Sequence, residues 1–337
     1  MLGELSGIAG VVRGAGRCGA PVTVPSDGVP HNPARLRARA IVGTTLVLVL
    51  VVAGYVIYHG FRNVTAAPPP PGCQVGAGEQ ALTLDTDQAA IAATIAGVAA
   101  RHGLPRQAVT IAYAAALQES KLHNLDYGDR DSVGVFQQRP SQGWGPAAEL
   151  KDPVYATTKF FDALTQVHGY IGMPIYQAAQ DVQHSADGAA YQQWAGIAGQ
   201  LTGYFTGQSP HGVSCWYTPA GKADLTGAMR RLTQTFGSPG RDAVVSSITL
   251  DRSAQKDAGS AAVLHVRRDA GWTVANWLVA HAQAYDLSEV RYAGYLWNAA
   301  TGSTGWQRDP GPSGSSSPAS PTLPSGKTVP PGGIVAG

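Results

Sequence analysis

The residues of this chain with the clearest capacity for chemistry lie between Ile111 and Gly145, IAYAAALQESKLHNLDYGDRDSVGVFQQRPSQGWG. A helical pattern ends in Gln118, Glu119 and Ser120; a polar, turn-rich segment with Asp126, Asp129 and Asp131 comes next, and Gly134-Val135-Phe136-Gln137 closes it. Breaking a glycosidic bond requires a carboxyl group that is still protonated near neutral pH, so that it can give its proton to the leaving oxygen. Glu119 is placed for that. If a helix begins at Pro105, Glu119 falls in its last turn. There the negative end of the helix dipole and apolar walls such as Tyr113 and Phe136 would raise a carboxyl pKa. The polar loop beyond it would then line a sugar groove.

Glu119-Ser120 at a helix end, followed by Ser132 and then Gly134-Val135-Phe136-Gln137, resembles the "ES … S … GLMQ" signature of the lysozyme-like superfamily, specifically the soluble lytic transglycosylases and goose-type lysozymes. The longer string YGDRDSVGVFQQRPSQGWG is similar to an actinobacterial, membrane-anchored branch of that group, and the likeness covers roughly Leu82 to Gly207. It implies Glu119 as the catalytic acid, Ser120 as a hydrogen-bonding support, and peptidoglycan glycan strands as substrate. Gln137 either positions the sugar's N-acetyl group or serves as a turn amide. Ser132 belongs to the signature, and Tyr127, Gln138 and Trp144 are further candidate sugar contacts, with a core role equally open for Trp144. Tyr155 and Tyr191 read as core. The family's Ala-Tyr-Asn motif in a later helix is replaced here by Ala179-Gln180-Asp181-Val182-Gln183, which leaves the orientation of the reacting sugar without an assigned tyrosine.

A second carboxylate decides the reaction. Inverting hydrolases need a base roughly 6.5 to 9.5 Å from the acid, and retaining ones a nucleophile roughly 5 to 5.5 Å away. Lytic transglycosylases, as the resemblance implies, need neither, because the C6 hydroxyl of muramic acid closes an anhydro ring. Asp126, Asp129 and Asp131 are the candidates for a second carboxylate; aspartates in such turns also cap their own backbone.

The elements that must position these residues are mostly helical. Asp85 or Thr86 caps a helix that stops at Gly103; Pro105 opens the helix that carries Glu119; Asp152 and Pro153 open another, and the stretch after Ala178 supplies one or two more. The expectation is a mainly α, lysozyme-like α+β catalytic domain over 73–216 with a short β-like hairpin at the site. Residues 217–240 connect it to a small α+β accessory domain over 241–308, built from strands in VVSSITL, AAVLHVR and EVRYAGYLW with a helix around Thr273 to Tyr285. That module resembles a small C-terminal domain of actinobacterial secreted wall proteins, itself similar to zinc D,D-peptidases. Its metal set is not recognisable, since His265 and His281 lack acidic partners at ligand spacing. No metal or other cofactor is expected anywhere in the chain.

Residues 1–39 and 309–337, rich in Gly, Pro and Ser, read as a disordered head and tail. Between Arg35, Arg37, Arg39 and Arg62 lies Ile41 to Tyr58, apolar and uncharged, which predicts one transmembrane helix over 40–59 followed by a proline-rich linker over 60–72. Arginines before the span put the N-terminus in the cytoplasm and the rest outside. Cys18 is then a reduced thiol, while Cys73 and Cys215, outside and bracketing the catalytic domain, suggest a disulfide. A net charge of +2 with 14% charged residues argues against nucleic acid as the main partner. The reading is a single-span, peptidoglycan-cleaving lytic transglycosylase, with two alternatives: a hydrolytic muramidase, or a non-catalytic glycan-binding or scaffold module of a secretion or conjugation complex. Protein partners have no signal in the sequence.

Overall fold

An uncharged apolar run favours continuous helix, and the first element of the computed structural model is one: α1 (Pro33–Arg62). The structure describes residues 33–62, 69–183, 188–251, 260–310, 329 and 332–337. Among them no helix is long and apolar enough to cross a membrane. The side chains of α1 are described from Thr44 to His59, so the expected span over 40–59 falls partly outside the described residues. Most of the expected head with Cys18, the middle of the linker and most of the expected tail also lie outside them. The chain forms two units, Met1–Ala67 and Pro68–Gly337, and the second contains Glu119 and every other candidate site residue.

Three aspartates set helix starts. After β1 (Gly72–Val75) and β2 (Leu82–Leu84), Asp85 opens α2 (Thr86–Arg101) with a capping box: its carboxylate accepts from the Gln88 N–H at 2.8 Å, and the Gln88 side chain accepts from the Asp85 N–H at 3.0 Å. Gly103, in the left-handed region at φ 64°, turns the chain into α3 (Arg106–Ser120). Short α4 (Ala147–Leu150) precedes α5 (Pro153–Gln166), whose cap Asp152 accepts from the Val154 N–H at 2.8 Å, with Pro153 in the first helical position. Next come α6 (Ile175–Gln183), a 3-10 segment over Gly188–Trp194, α7 (Ala195–Phe205) and β3 (Val213–Trp216). Asp224 caps α8 (Leu225–Phe236), accepting from the Gly227 N–H at 2.8 Å.

The middle of α3 is almost entirely buried. Its alanines at 112 and 114–116 have no accessible surface, and α6 and α7 pack closely against it. Small side chains allow that approach; the larger ones that fill the gaps, Ile111, Phe160, Phe205 and Leu122, each contribute about 1.5–3 kcal/mol through burial. β1 pairs antiparallel with β2 and β3, and opposite residues Cys73 and Cys215 form a disulfide. Spanning 142 positions, it constrains the unfolded chain by roughly 5 kcal/mol in the loop-entropy picture.

The remaining elements are β4 (Val245–Asp251), β5 (Ala261–Val266), α9 (Gly271–Ala280), α10 (Ala282–Tyr285), β6 (Glu289–Tyr292), β7 (Tyr295–Asn298), β8 (Gln307–Arg308) and β9 (Gly333–Ala336). They form a second antiparallel sheet in the order β4-β5-β9-β6-β7-β8. The two-residue turn joining β6 to β7, Ala293-Gly294, has positive φ at both positions, matching the twist of the strands it connects. Two expectations are corrected. The tail over 309–337 supplies β9, whose Ile334 and Ala336 are fully buried between β5 and β6: pairing on both edges stabilises a strand too short to hold alone. The segment over 217–240 is more than a connection, because α8 packs on α2 and buries Met229, Leu232 and Phe236. α9 also packs on α2, so helices and second sheet share one hydrophobic core. The fold is mainly α with two small antiparallel sheets.

Candidate functional site

The helix that carries Glu119 stops immediately after it. Lys121 and Leu122 both take positive φ, 56° and 62°, and their backbone turns the chain sharply while Leu122 is drawn into the core. Ser120 is buried, and its hydroxyl donates to the carbonyls of Ala116 at 3.1 Å and Val135 at 2.7 Å. The second bond fastens the helix end to the returning strand of the loop. That loop is a small bridged turn, with Leu125 opposite Gly134 and Val133 opposite Gln138. Phe136 stacks on Phe160 of α5 with ring centroids 4.5 Å apart, which anchors the turn to the helical core.

Glu119 is half-buried. Tyr191, fully buried in the 3-10 segment, donates its hydroxyl to Glu119 Oε1 at 2.7 Å. The Gln183 side chain also hydrogen-bonds Glu119 and donates to the Phe136 carbonyl at 2.8 Å, joining α6, the loop and the acid. Burial pushes the Glu119 pKa up; the Tyr191 and Gln183 hydrogen bonds and the Lys121 charge oppose it, and the net direction is upward. A neighbouring carboxylate at nucleophile distance would add like-charge repulsion, and none among the described residues contributes to that balance. Lys121 itself lies over the Trp194 ring, 4.2 Å from its centroid, while the Trp194 indole N–H donates to Gln118 Oε1 at 2.8 Å.

The other expected site residues fall into three sets. Ser132 and Gln137 brace the loop: the Ser132 hydroxyl donates to the Asp129 carbonyl at 2.8 Å and to Gln137 Oε1 at 3.0 Å, and the Gln137 amide donates to the carbonyls of Tyr127 and Gly134, both at 3.2 Å. This arrangement leaves no room at Gly128, where a Cβ would collide with both side chains. Gln137 thus sits as a turn amide. Gln138 is 1% exposed and donates to the Ala156 carbonyl at 3.2 Å, so it occupies an interior position and not the groove-lining one expected. Trp144 is half-buried against the core, whereas Tyr127 is 69% exposed on the loop.

Of the aspartates, Asp131 is held in place: it accepts from the Ser141 N–H at 2.7 Å, the Ser141 hydroxyl at 2.9 Å and Arg139 Nε at 2.9 Å. The Ser141 N–H and the Arg139 guanidinium keep its carboxyl far below the usual range. Asp129 is exposed beside Arg130, at 3.9 Å, and Asp126 is exposed.

Sequence reasoning misses Tyr191 and Gln183 as site residues. Tyr191 reads as core, and it is, but its hydroxyl end reaches the acid. The altered segment Ala179–Gln183 contributes an amide where a tyrosine is sought, and the tyrosine comes from twelve residues after Ala179. His281 is a packed histidine: it is buried, stacked on Trp277 at 3.9 Å, with Nδ1 bonded to the Trp277 carbonyl at 2.9 Å. Among the described residues no group of three His, Cys, Asp or Glu is arranged to hold a metal ion. The arrangement around Glu119 can carry proton transfer by one half-buried, oriented carboxyl group. No protein-family model matches the chain, and no curated protein matches it.

Proposed function

We propose that the chain is a peptidoglycan lytic transglycosylase, cutting the β-1,4 bond between N-acetylmuramic acid and N-acetylglucosamine during wall remodelling. The observation that carries this reading is Glu119: a half-buried carboxyl with a raised pKa, oriented by Tyr191 and Gln183 and, among the described residues, with no carboxylate partner bearing on it. Protonated Glu119 gives its proton to the glycosidic oxygen as the bond to C1 breaks. The resulting carboxylate, stabilised by the Tyr191 hydroxyl and the Gln183 amide, then takes the proton of the muramic acid C6 hydroxyl. The freed oxygen bonds to C1 and closes a 1,6-anhydro ring. One group does both transfers, so no activated water and no protein nucleophile enters.

The likeness of Glu119-Ser120, Ser132 and Gly134–Gln137 to the transglycosylase signature supports the substrate class. The disulfide fits a domain that folds outside the cytoplasm. The uncharged, exposed apolar face of α1 between Leu46 and Tyr58 supports an anchor in the lipid bilayer.

The test is mass spectrometry of fragments released from purified peptidoglycan by residues 68–337, a fragment that keeps β9, with Glu119→Gln beside it. The expected result is fragments ending in 1,6-anhydromuramic acid, reduced by roughly 10²- to 10⁴-fold in the variant, the usual range for a general acid-base group. Reducing ends would mean hydrolysis. Binding to the glycan without release would leave a scaffold or binding module.

A further inference from the structure

A cavity of about 520 Å³ opens where α2, the residues just after α3, the start of α5, α8 and the residue joining α9 to α10 meet. Its volume lies within the roughly 300–1,000 Å³ of small-molecule sites. Neither Glu119, Gln183 nor Tyr191 lines it. The walls mix apolar Ala90, Ile91, Leu125 and Pro153 with polar His123 and Asn124. The floor carries Thr94 and His281, both buried, and the rim carries Asp87, exposed in the first turn of α2.

The floor is chemically specified. His281 Nδ1 faces a carbonyl, which only accepts, so Nδ1 carries the ring proton and Nε2 is left as the acceptor. Among the described residues Nε2 meets only the Thr94 hydroxyl, at 3.4 Å, a long contact. Arg231, which also lines the cavity, is fixed by two bonds to Asp152, at 2.8 and 3.1 Å, and one to Gln234 at 3.2 Å. A guanidinium has five N–H donors, so two have no acceptor among the described residues. The cavity therefore offers a guanidinium that is paired with Asp152 but keeps spare donors, a buried neutral acceptor and a carboxylate at the rim. A simple anion would meet Asp87, and an apolar ligand would strand the polar floor. A molecule with a carboxylate and an ammonium group satisfies all three.

We propose that this cavity is a second binding site, independent of the Glu119 chemistry, that takes a small zwitterion of the amino-acid or dipeptide class. The ligand's carboxylate sits on Arg231, and its ammonium group donates to His281 Nε2 and is drawn by Asp87.

The experiment is calorimetric titration of the full-length protein, in detergent micelles, with alanylalanine, N-acetyl-alanylalanine and alanylalaninamide. Alanylalanine is expected to bind saturably, and each blocked form at least about 10-fold more weakly, since each lacks one charge. His281→Phe should remove binding by deleting the acceptor. Ala90→Phe, which fills the cavity from its wall and leaves every hydrogen bond intact, should do the same with an unchanged unfolding temperature. Glu119→Gln should bind as the unaltered protein does. Three results would each overturn the proposal: no saturable binding of alanylalanine, equal binding of a blocked form, or undiminished binding by folded Ala90→Phe.

Discussion

Tyr191 carries a task that its position in the sequence does not advertise. In GAAYQQWAG it stands among small and polar residues at a spacing that reads as packing, and its ring is indeed fully buried. What gives it a role is a bond to Glu119 across 72 positions of chain, and no local pattern encodes a contact of that separation. Glu119 and Ser120, by contrast, are legible, because a carboxyl at a helix end followed by a glycine-containing turn is a local signature. Replacing Tyr191 by Phe removes one donor to the carboxylate and keeps the ring. A hydrogen bond to a charged group is worth about 1.5–3 kcal/mol, so the turnover should fall roughly 10- to 100-fold. The Tyr191 bond lowers the Glu119 pKa, so its loss must raise that pKa further. The alkaline limb of the rate profile, which tracks deprotonation of the acid, should accordingly move to higher pH. A pH–rate profile of Tyr191→Phe tests both effects, and an unmoved alkaline limb would exclude Tyr191 as a partner of the reacting group.

At the scale of elements, starts are easier to read than interiors. Asp85, Asp152 and Asp224 cap their helices through bonds two or three residues away, which is why each is visible as an aspartate ahead of an apolar pattern. The site loop is harder, because its aspartates have two readings. The structure gives Asp131 to the loop itself, clamped by Ser141 and Arg139. A carboxylate held so far below the usual range is a weak base, and its oxygens are already engaged by Ser141 and Arg139. Asp131→Asn should loosen the loop, raising KM for glycan, while the released fragments keep the same anhydro or reducing ends as before. Chromatography of those fragments decides it: a change in end type would assign Asp131 to the chemistry. The elements around His281 make a separate prediction. Burial lowers its pKa to about 3; the bond to the Trp277 carbonyl opposes this and the Arg231 charge adds to it. The unfolded chain therefore takes up a proton below the ordinary histidine value near 6.5, while the folded chain does not. Stability from this group is complete above about pH 6.5 and declines as the pH falls toward 3, by up to about 1.4 kcal/mol per unit. Urea unfolding at pH 7 and pH 4.5 should show a decrease that is smaller in His281→Gln.

For the molecule as a whole, the sequence suggests a catalytic domain with a small module attached, and the structure joins the two through α2, which packs on α3, α5, α8 and α9 at once. Such sharing is invisible to composition, because a buried alanine in AAIAATIAGVAAR looks the same whichever helix covers it. The end of the chain is the sharpest instance. Gly333–Ala336 comes after a long Pro-, Ser- and Gly-rich stretch and is four residues long, too short for a periodicity to register. Its strand exists only because β5 and β6 present paired edges to it, and the carbonyl of Gly337 accepts from the N–H groups of Ser288, at 2.7 Å, and Glu289, at 2.9 Å. A chain ending at Pro310 would leave both edges open and uncover the space filled by Ile334, Val335 and Ala336. At about 1.5–3 kcal/mol for each of the two larger side chains, with the ladder bonds added, the loss should reach roughly 4–6 kcal/mol. That is a large part of the stability of a domain this size. The truncated protein should unfold at clearly lower urea concentration and bind strand-seeking dyes or self-associate through the exposed edges. The Cys73–Cys215 disulfide still closes the helical part, so partial release of peptidoglycan fragments is expected from whatever remains folded. An unfolding midpoint equal to that of the chain ending at Gly337 would mean that β9 contributes nothing to the sheet in solution.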